Sequence, residues 1–154
     1  MSTYTPEQYE RRRKSKWTMV QIIGAPLQLM VFFISLGFVL YTYATDQLFE
    51  VTTTTIFLKI VFLYFMCITG MFWEKDVFDH YYFAPEFFWE DFVTTFVMVT
   101  HSAYLVALFF PIDHKGLMLV IMIAYLSYLF NAGQYVWKWW KGRSEIRRTV
   151  AEAR

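Results

Sequence analysis

Long apolar runs constrain the fold of this chain more than any other sequence feature. The run from Trp17 to Tyr43 contains no charged residue, and 57% of the 154 residues are hydrophobic. A helix of about 20 apolar residues crosses the hydrocarbon core of a bilayer, and backbone groups in lipid must satisfy one another internally. We therefore predict an all-α integral membrane protein, a single membrane domain over residues 1–154 with four transmembrane helices in an antiparallel bundle. The predicted spans are residues 17–43, 54–73, 85–110 and 117–137.

A helix-capping sequence precedes the first span. Thr5 offers an N-cap hydroxyl, Pro6 suits the first helical position, and Gln8 stands where the second side chain of a capping box reaches back. The sequence therefore predicts a short N-terminal cytoplasmic helix.

Basic residues gather at both ends of the chain, next to the apolar runs. The loop predicted between the first two spans, residues 44–53, has acidic residues but neither Lys nor Arg. The positive-inside rule then predicts a multi-pass protein of the cytoplasmic (inner) membrane, with both termini in the cytoplasm. We interpret the basic clusters as anchors to anionic lipid rather than as a nucleic-acid site. They are Arg11, Arg12, Arg13, Lys14 and Lys16 at one end, and Lys138, Lys141, Arg143, Arg147 and Arg148 at the other.

Two polar or reactive residues of the second run are given no function. Cys67 is the single cysteine, which excludes an internal disulfide, and we expect it to be a packed small residue because no His lies at helical spacing from it. Lys59 lies near the predicted outer end of its span, so we expect its ammonium group to snorkel to the surface.

The stretch from Trp73 to Asp91 joins two apolar runs and holds most of the acidic residues near them. Pro85 should restart a helix, which puts Glu86 in the first turn, where the helix dipole favours a carboxylate. Glu90 and Asp91 lie more than a turn further in, where that benefit has faded. A carboxylate inside a membrane helix costs several kcal/mol unless it has a partner, a proton or a water-filled cavity. Such a cost indicates a functional site.

Two of the predicted spans carry polar residues along one face. On a regular helix Glu90, Thr94 and His101 lie within about 40° of one another, and Gln21 and Gln28 share a face because they are seven residues apart. A lone membrane histidine is most often a satisfied hydrogen-bonding residue. The two glutamines fit interhelical hydrogen bonding at least as well as contact with a ligand.

The polar residues of the predicted spans converge under this topology. Each of them falls in the cytoplasmic half of its helix, so the four helices should surround one polar pocket near the membrane surface, lined by aromatic residues. Such a pocket suits a large flat amphiphile better than a small ion. The residues are Gln21, Gln28, Glu74, Glu90, Asp91, Asn131 and Gln134.

Short motifs spread over nearly the whole chain point to a known family. They are Ala25-Pro26-Leu27-Gln28, Trp73-Glu74-Lys75 with Val77-Phe78, Phe83-Ala84-Pro85, Phe87-Phe88-Trp89-Glu90-Asp91, and Asn131-Ala132 with Gln134. Together they resemble the 3-vinyl bacteriochlorophyllide hydratases of anoxygenic phototrophic bacteria, and the block from Phe83 to Asp91 is the specific part of the resemblance.

The resemblance implies a hydro-lyase of bacteriochlorophyll biosynthesis. Its reaction adds water to the vinyl group at carbon 3 of a chlorophyllide or bacteriochlorophyllide, giving a 1-hydroxyethyl group, with no added cofactor. Such a hydration needs an acid to protonate the terminal vinyl carbon and a base for the attacking water. Glu90 and Glu74 are the candidate acid and base, with Asp91 a close third. A structural ion pair with Lys75 or Lys138 explains each carboxylate about as well.

The resemblance also implies a pigment-binding site without a metal of the protein's own. The substrate carries its own magnesium, for which His80, His101 or water could be the axial ligand. The expected partners are the pigment and the lipid bilayer, and a homo-oligomer or a complex with other pigment-biosynthesis enzymes is an open alternative. The candidate substrate-binding residues are Gln21, Gln28, His80, Trp89, Thr94, His101, Asn131 and Gln134.

The alternative function is that of a non-catalytic pigment-binding or assembly subunit of a photosynthetic membrane complex. Such a subunit would also need aromatic walls and polar contacts. It would not require paired acids within the helices. The two hypotheses are separated by whether the protein converts a vinyl pigment into a product heavier by one water.

Overall fold

Helices make up all the regular structure in the described part of the chain. The computed structural model of the protein describes the backbone of residues 5–152 and the side chains of residues 5–138 and 140. The basic side chains from Lys141 onward, which the sequence analysis treats as anchors, lie outside the described side chains. The helices are α1 (Pro6–Lys14), α2 (Lys16–Thr45), α3 (Phe49–Phe78), α4 (Phe88–Ala107) and α5 (His114–Glu152).

The capping sequence at the N-terminus forms the start of α1. The Thr5 hydroxyl accepts a hydrogen bond from the Gln8 backbone N–H at 3.2 Å, and the Gln8 side chain accepts one from the Thr5 N–H at 2.9 Å. The Gln8 amide group also donates to the Glu86 carboxylate at 2.7 Å, and the Ser15 hydroxyl donates to Asp76 at 2.6 Å. The end of α3 and the connector that follows it thereby hold α1 in place.

Three helices within the described residues are long and apolar enough to cross a membrane, namely α2, α3 and the part of α5 from His114 to Lys138. Helix α4 has 20 residues, with Glu90 and Asp91 in its first turn, and does not belong to this group. The chain therefore has the helical membrane-protein character that its composition predicts. The fourth crossing stays a prediction.

The first connection between the long helices is shorter than the sequence suggests, and the helix limits differ from those of the predicted spans. Residues 46–48 alone separate α2 from α3, because Asp46 and Leu48 take left-handed backbone conformations that reverse the chain at once. At the other end, α3 continues past the predicted limit at residue 73 to Phe78. Helix α4 begins at Phe88 rather than at Pro85, because the Phe87 N–H bonds to the Ala84 carbonyl in a turn that precedes the helix. The predicted end at residue 137 is likewise inside α5.

Side chains from four helices form the core. Helix α2 packs against α3 and α5, α4 packs against α5, and the contact between α3 and α4 is smaller. Interhelical hydrogen bonds add to the apolar packing, since Ser35 bonds to Tyr125 at 2.6 Å and Thr42 to Thr52 at 2.6 Å. Many large apolar side chains of α2, α3 and α5 point outward instead, as is typical of helices that face lipid.

The prediction that Lys59 snorkels to the surface is wrong. Its side chain is fully buried, because α3 starts earlier than predicted and Lys59 faces α4 and α5 from inside the bundle. Its ammonium nitrogen lies 2.8 Å from His101 Nε2 and 3.8 Å from the centre of the Tyr128 ring. His101 Nδ1 lies 2.7 Å from the Val97 carbonyl oxygen, so Nδ1 carries the hydrogen and Nε2 accepts from Lys59.

Two glycines of α2 give a matched test of this packing. Gly24 faces α3, and a Cβ at this position would overlap the buried Met66 thioether, whereas a Cβ at Gly37 would meet nothing within 4 Å. We expect Gly24→Ala to lower the free energy of unfolding by about 1–3 kcal/mol through overpacking. Gly37→Ala should leave it unchanged or raise it by about 0.5–1 kcal/mol. Thermal unfolding in detergent measures both variants, and equal effects would contradict the described α2–α3 contact.

Candidate active site

Two buried carboxyl groups meet where α3 ends and α4 begins. Glu74 belongs to the last turns of α3 and Asp91 to the first turn of α4, and both side chains are buried, with relative exposures of 5% and 2%. A side-chain hydrogen bond joins them. We call this pair the acid dyad.

The connector between the two helices supplies backbone donors to the dyad. The Phe83 N–H donates to Asp91 Oδ2 at 2.8 Å, and the next N–H, of Ala84, donates to Glu74 Oε2 at 3.3 Å. Phe83 has a left-handed conformation, with φ of 57°, which is uncommon for a large side chain. This conformation directs two successive N–H groups toward anions. The strained residue therefore lies where its conformation stabilises the two carboxyl groups.

A carboxyl pair of this kind holds one proton more readily than none or two. Two ionised carboxylates at hydrogen-bond distance repel each other strongly when both are buried, while backbone donors stabilise an ionised form. The proton therefore belongs to the pair rather than to either residue. The dyad presents an acid and a base next to each other.

Tyr82 covers the dyad on its α4 side. Its hydroxyl donates to the Asp91 backbone carbonyl at 2.9 Å and lies 3.0 Å from the Thr95 hydroxyl. Burial raises the pKa of the Tyr82 hydroxyl, so it remains a protonated donor at neutral pH. The Cys67 thiol lies next to Tyr82 and within the electrostatic influence of both acids.

A groove of about 710 Å³ lies between α3 and α4. On α3, Cys67 and Met71 lie on the stripe that continues to Glu74, and on α4 Thr95 lies one turn after Asp91, so the dyad lies about one helical turn beyond the lining residues at this end of the groove. We call it the α3–α4 groove. It is lined by Tyr64, Cys67, Met71, Tyr82, Thr95, Met98, Val99, Ser102, Ala103 and Val106.

Glu90 faces a different part of the surface. Its carboxylate pairs with the Lys138 ammonium group at 2.9 Å, and Lys138 also donates to the Glu86 carbonyl and lies 3.7 Å from the centre of the Phe87 ring. This is the ion pair that the sequence analysis left open as an alternative. It borders a second groove of about 600 Å³, the α4–α5 groove. That groove is lined by Glu90, Leu129, Phe130, Gly133, Gln134, Trp137 and Lys138.

Polar residues of α5 approach the dyad from its other side. Asn131 is buried and its amide group donates to the Thr94 hydroxyl at 3.0 Å. Tyr135 interacts with Thr94 through its hydroxyl and lies within the electrostatic influence of Asp91, Glu74 and Glu90. The carbonyl oxygens of Asn131 and Gln134 are buried, and no hydrogen-bond donor among the described residues reaches either of them.

The remaining predicted substrate-binding residues lie apart from the dyad. Gln21 bonds to the Thr69 hydroxyl at 2.9 Å, and Gln28 is buried in the bundle, which fits the interhelical interpretation. His80 is exposed in the connector and Trp89 is 68% exposed. Both ring nitrogens of His101 are engaged, by Lys59 and by the Val97 carbonyl. The expected single pocket is instead a buried acid pair with a groove on each side of α4.

Sequence reasoning missed Tyr82, Thr95 and Tyr135 and gave Cys67 no role. Thr95 follows Asp91 at i+4, so helical spacing alone could have placed it on the stripe of Asp91. Tyr82 and Tyr135 carry no such signal, because their positions depend on the conformation of the connector and on the register between α4 and α5. No cluster of three or more metal-ligating side chains occurs within the part of the chain that was described.

Comparison with known proteins identifies relatives over most of the chain. The family model described as 2-vinyl bacteriochlorophyllide hydratase matches residues 4–141. A protein of that name from Cereibacter sphaeroides is 48% identical over 135 residues, which cover 88% of this chain and 84% of the relative. Another of the same name, from Rhodobacter capsulatus, is 44% identical over 135 residues, with 88% and 79% covered. No solved structure matches the chain. The chain belongs to the 2-vinyl bacteriochlorophyllide hydratase family.

Proposed function

We propose that this protein is a hydro-lyase that adds water to the vinyl group of a bacteriochlorophyllide-type pigment and gives a 1-hydroxyethyl group. The family match and the names of both relatives support this reaction. Those names differ from the family name used above in the number given to the vinyl position, and all of them denote hydration of a vinyl group on the macrocycle. The structural observation that carries the proposal is the buried acid dyad, which lies about one helical turn from residues that line an apolar groove.

The acid dyad can perform both proton transfers of the reaction. The protonated carboxyl group gives its proton to the terminal vinyl carbon, and the macrocycle delocalises the positive charge that develops on the adjacent carbon. Water attacks that carbon through its oxygen, and the ionised carboxylate takes the proton that the water releases. Afterwards the dyad again holds one proton, on the other carboxyl group. The cycle closes without a redox change, so we propose that no added cofactor takes part.

The α3–α4 groove is the proposed binding site for the pigment. Its volume falls within the range of small-molecule sites, about 300–1,000 Å³, and most of its wall is apolar, as a flat macrocycle requires. The vinyl group would point toward the end of the groove that Met71, Tyr82 and Thr95 line, which is the end next to the dyad. His101 takes no part in holding the substrate magnesium in this proposal, because both of its nitrogens are engaged.

The membrane arrangement is part of the proposal. Helix α4 has 20 residues, a length of about 30 Å, which matches the hydrocarbon thickness of a bilayer. We propose that α4 crosses the inner membrane together with the three apolar helices, so that both termini and the dyad lie on the cytoplasmic side. Self-association and a complex with other pigment-biosynthesis enzymes stay predictions.

The carboxyl groups of the dyad provide the first test. We expect Glu74→Gln and Asp91→Asn each to lower kcat by about 10²-fold or more, because each removes a titrating group from the proton-transfer pair. The KM for pigment should change little. Purified protein is incubated with a 3-vinyl chlorophyllide-type pigment without nicotinamide, flavin or added metal, and a product heavier by one water is followed by mass spectrometry. Glu50→Gln, an exposed acid at the opposite end of α3, is the control.

A further comparison separates the dyad from Glu90. Glu90→Gln leaves the half-buried Lys138 without its anion, which should destabilise the protein by about 1–3 kcal/mol, whereas Glu90→Gln with Lys138→Met removes both charges. We expect the double variant to regain stability and most of the turnover. A double variant as slow as Asp91→Asn would make Glu90 a catalytic acid. Near wild-type turnover in both dyad variants, or activity lost in proportion to pigment binding, would favour the pigment-binding subunit.

Filling each groove in turn tests where the pigment binds. Ala103 lines the α3–α4 groove and Gly133 lines the α4–α5 groove, and a Cβ at Gly133 meets nothing within 4 Å. We expect Ala103→Phe to raise the KM for pigment about 10-fold or more, which corresponds to about 1.4 kcal/mol of binding free energy. Gly133→Phe should leave that KM unchanged. The opposite pattern would move the pigment to the α4–α5 groove.

The proposed topology predicts on which side of the membrane two exposed positions lie. Cys67→Ser removes the single cysteine, and Glu7→Cys and Gln47→Cys then place one thiol before α2 and one after it. A membrane-impermeant maleimide applied to intact cells should label residue 47 and spare residue 7, whereas both should react in lysed cells. Labelling of both positions in intact cells would reject the arrangement.

A further inference from the structure

We propose that the carbonyl oxygens of Asn131 and Gln134 bind, respectively, the water that is added to the vinyl group and the water that replaces it, on the α5 side of the acid dyad. The proposal rests on the proposed function, because it assigns the second substrate of that reaction. Its basis is the pair of buried acceptors that no donor reaches within the described residues. A buried acceptor without a donor is costly, and interior water commonly bonds to such groups.

The hydrogen bonds around Thr94 orient the Asn131 amide. The Thr94 hydroxyl donates to the Glu90 backbone carbonyl at 2.8 Å and accepts from the Asn131 amide nitrogen at 3.0 Å. The Asn131 carbonyl oxygen therefore faces away from Thr94, and no donor among the described residues reaches it.

The two acceptors have different positions relative to the surface. Asn131 is 6% exposed and bonds to Thr94, which follows Asp91 at i+3 on α4 and thus lies about 4.5 Å further along the helix axis. Gln134 follows Asn131 at i+3, so the two side chains are neighbours on one face of α5. Gln134 also lines the α4–α5 groove while its carbonyl oxygen is buried. The two acceptors therefore mark the route that we propose for water from this groove toward the dyad.

The arrangement supplies water from one side of α4 and pigment from the other. The reacting water would donate one hydrogen to Asn131 and the other to the ionised carboxylate, which leaves an oxygen lone pair for the carbon cation. Gln134 would hold the water that replaces it. Separate approaches keep the vinyl group in an apolar groove, since bulk water need not pass through the pigment site.

The choice of nucleophile tests this site directly. In Gln134→Ala the shorter side chain leaves room for methanol, whose oxygen would bond to the same carbon while its hydroxyl proton passes to the carboxylate. The product is then a 1-methoxyethyl pigment, heavier than the substrate by one methanol. We expect Gln134→Ala in a water–methanol mixture to form this ether in a proportion that exceeds that of the wild-type protein about 10-fold or more. Mass spectrometry measures the ratio of ether to alcohol.

Matched variants separate a water site from a general structural role. Gln134→Met keeps the side-chain length without the carbonyl, so we expect kcat to fall about 10-fold at unchanged pigment KM, with no excess of ether. Asn131→Ala should resemble Gln134→Ala if it folds. Ser127→Ala, one turn further from the acids on α5, removes a hydroxyl that is bonded to Ala124 and Thr100 and should behave as wild type in both measurements.

The outcomes are distinguishable from failure of the proposed function. Wild-type kcat in Gln134→Met together with a wild-type ether ratio in Gln134→Ala would overturn the water site, while the dyad variants could still be inactive. If the wild-type protein forms no water adduct at all, the hydratase function itself is rejected.

Discussion

The hydrogen-bonded pair of Glu74 and Asp91 is the interaction on which the rest of the structure depends. Each carboxylate alone would oppose burial in an apolar environment, and the fold offsets this cost by joining them and capping both with backbone N–H groups. The need to cap both carboxyl groups also determines the conformation of the connector. The left-handed backbone at Phe83 directs two successive N–H donors toward Glu74 and Asp91. It also fixes the register in which α3 meets α4.

The bundle contains a second buried polar group that is stabilised differently. Lys59 has a neutral histidine and an aromatic face as partners rather than an anion, so the pair is compatible with a neutral amine and needs no counter-ion. At the opposite end of the bundle, by contrast, the acids have backbone donors and each other. One end of the bundle therefore fixes helix packing, while the other end retains an exchangeable proton.

The sequence predicts the helical fold well and the site incompletely. The apolar runs locate the long helices, and the capping motif at Thr5 locates α1, since both signals are local. Glu90 and Asp91 stand out in the sequence because a carboxylate in an apolar run costs free energy. The pairing of Glu74 with Asp91 is not predictable from the sequence, because it depends on the Phe83 conformation and on which turn of α4 faces α3. Lys59 was misjudged for a related reason, since the start of α3 depends on a tight reversal at Asp46 that composition does not show.

Glu86 links the two ends of the chain to the loop that caps the acids. Its carboxylate accepts from Gln8 of α1, and its carbonyl accepts from Lys138 of α5. Because the chain is synthesised from its N-terminus, α1 is made first and Lys138 only after α1 to α4 are complete. The connector therefore acquires its full set of supports at the end of synthesis. During insertion the growing chain carries two acids in a connector that is only partly supported, and the support is complete only when α5 packs against α2 and α4.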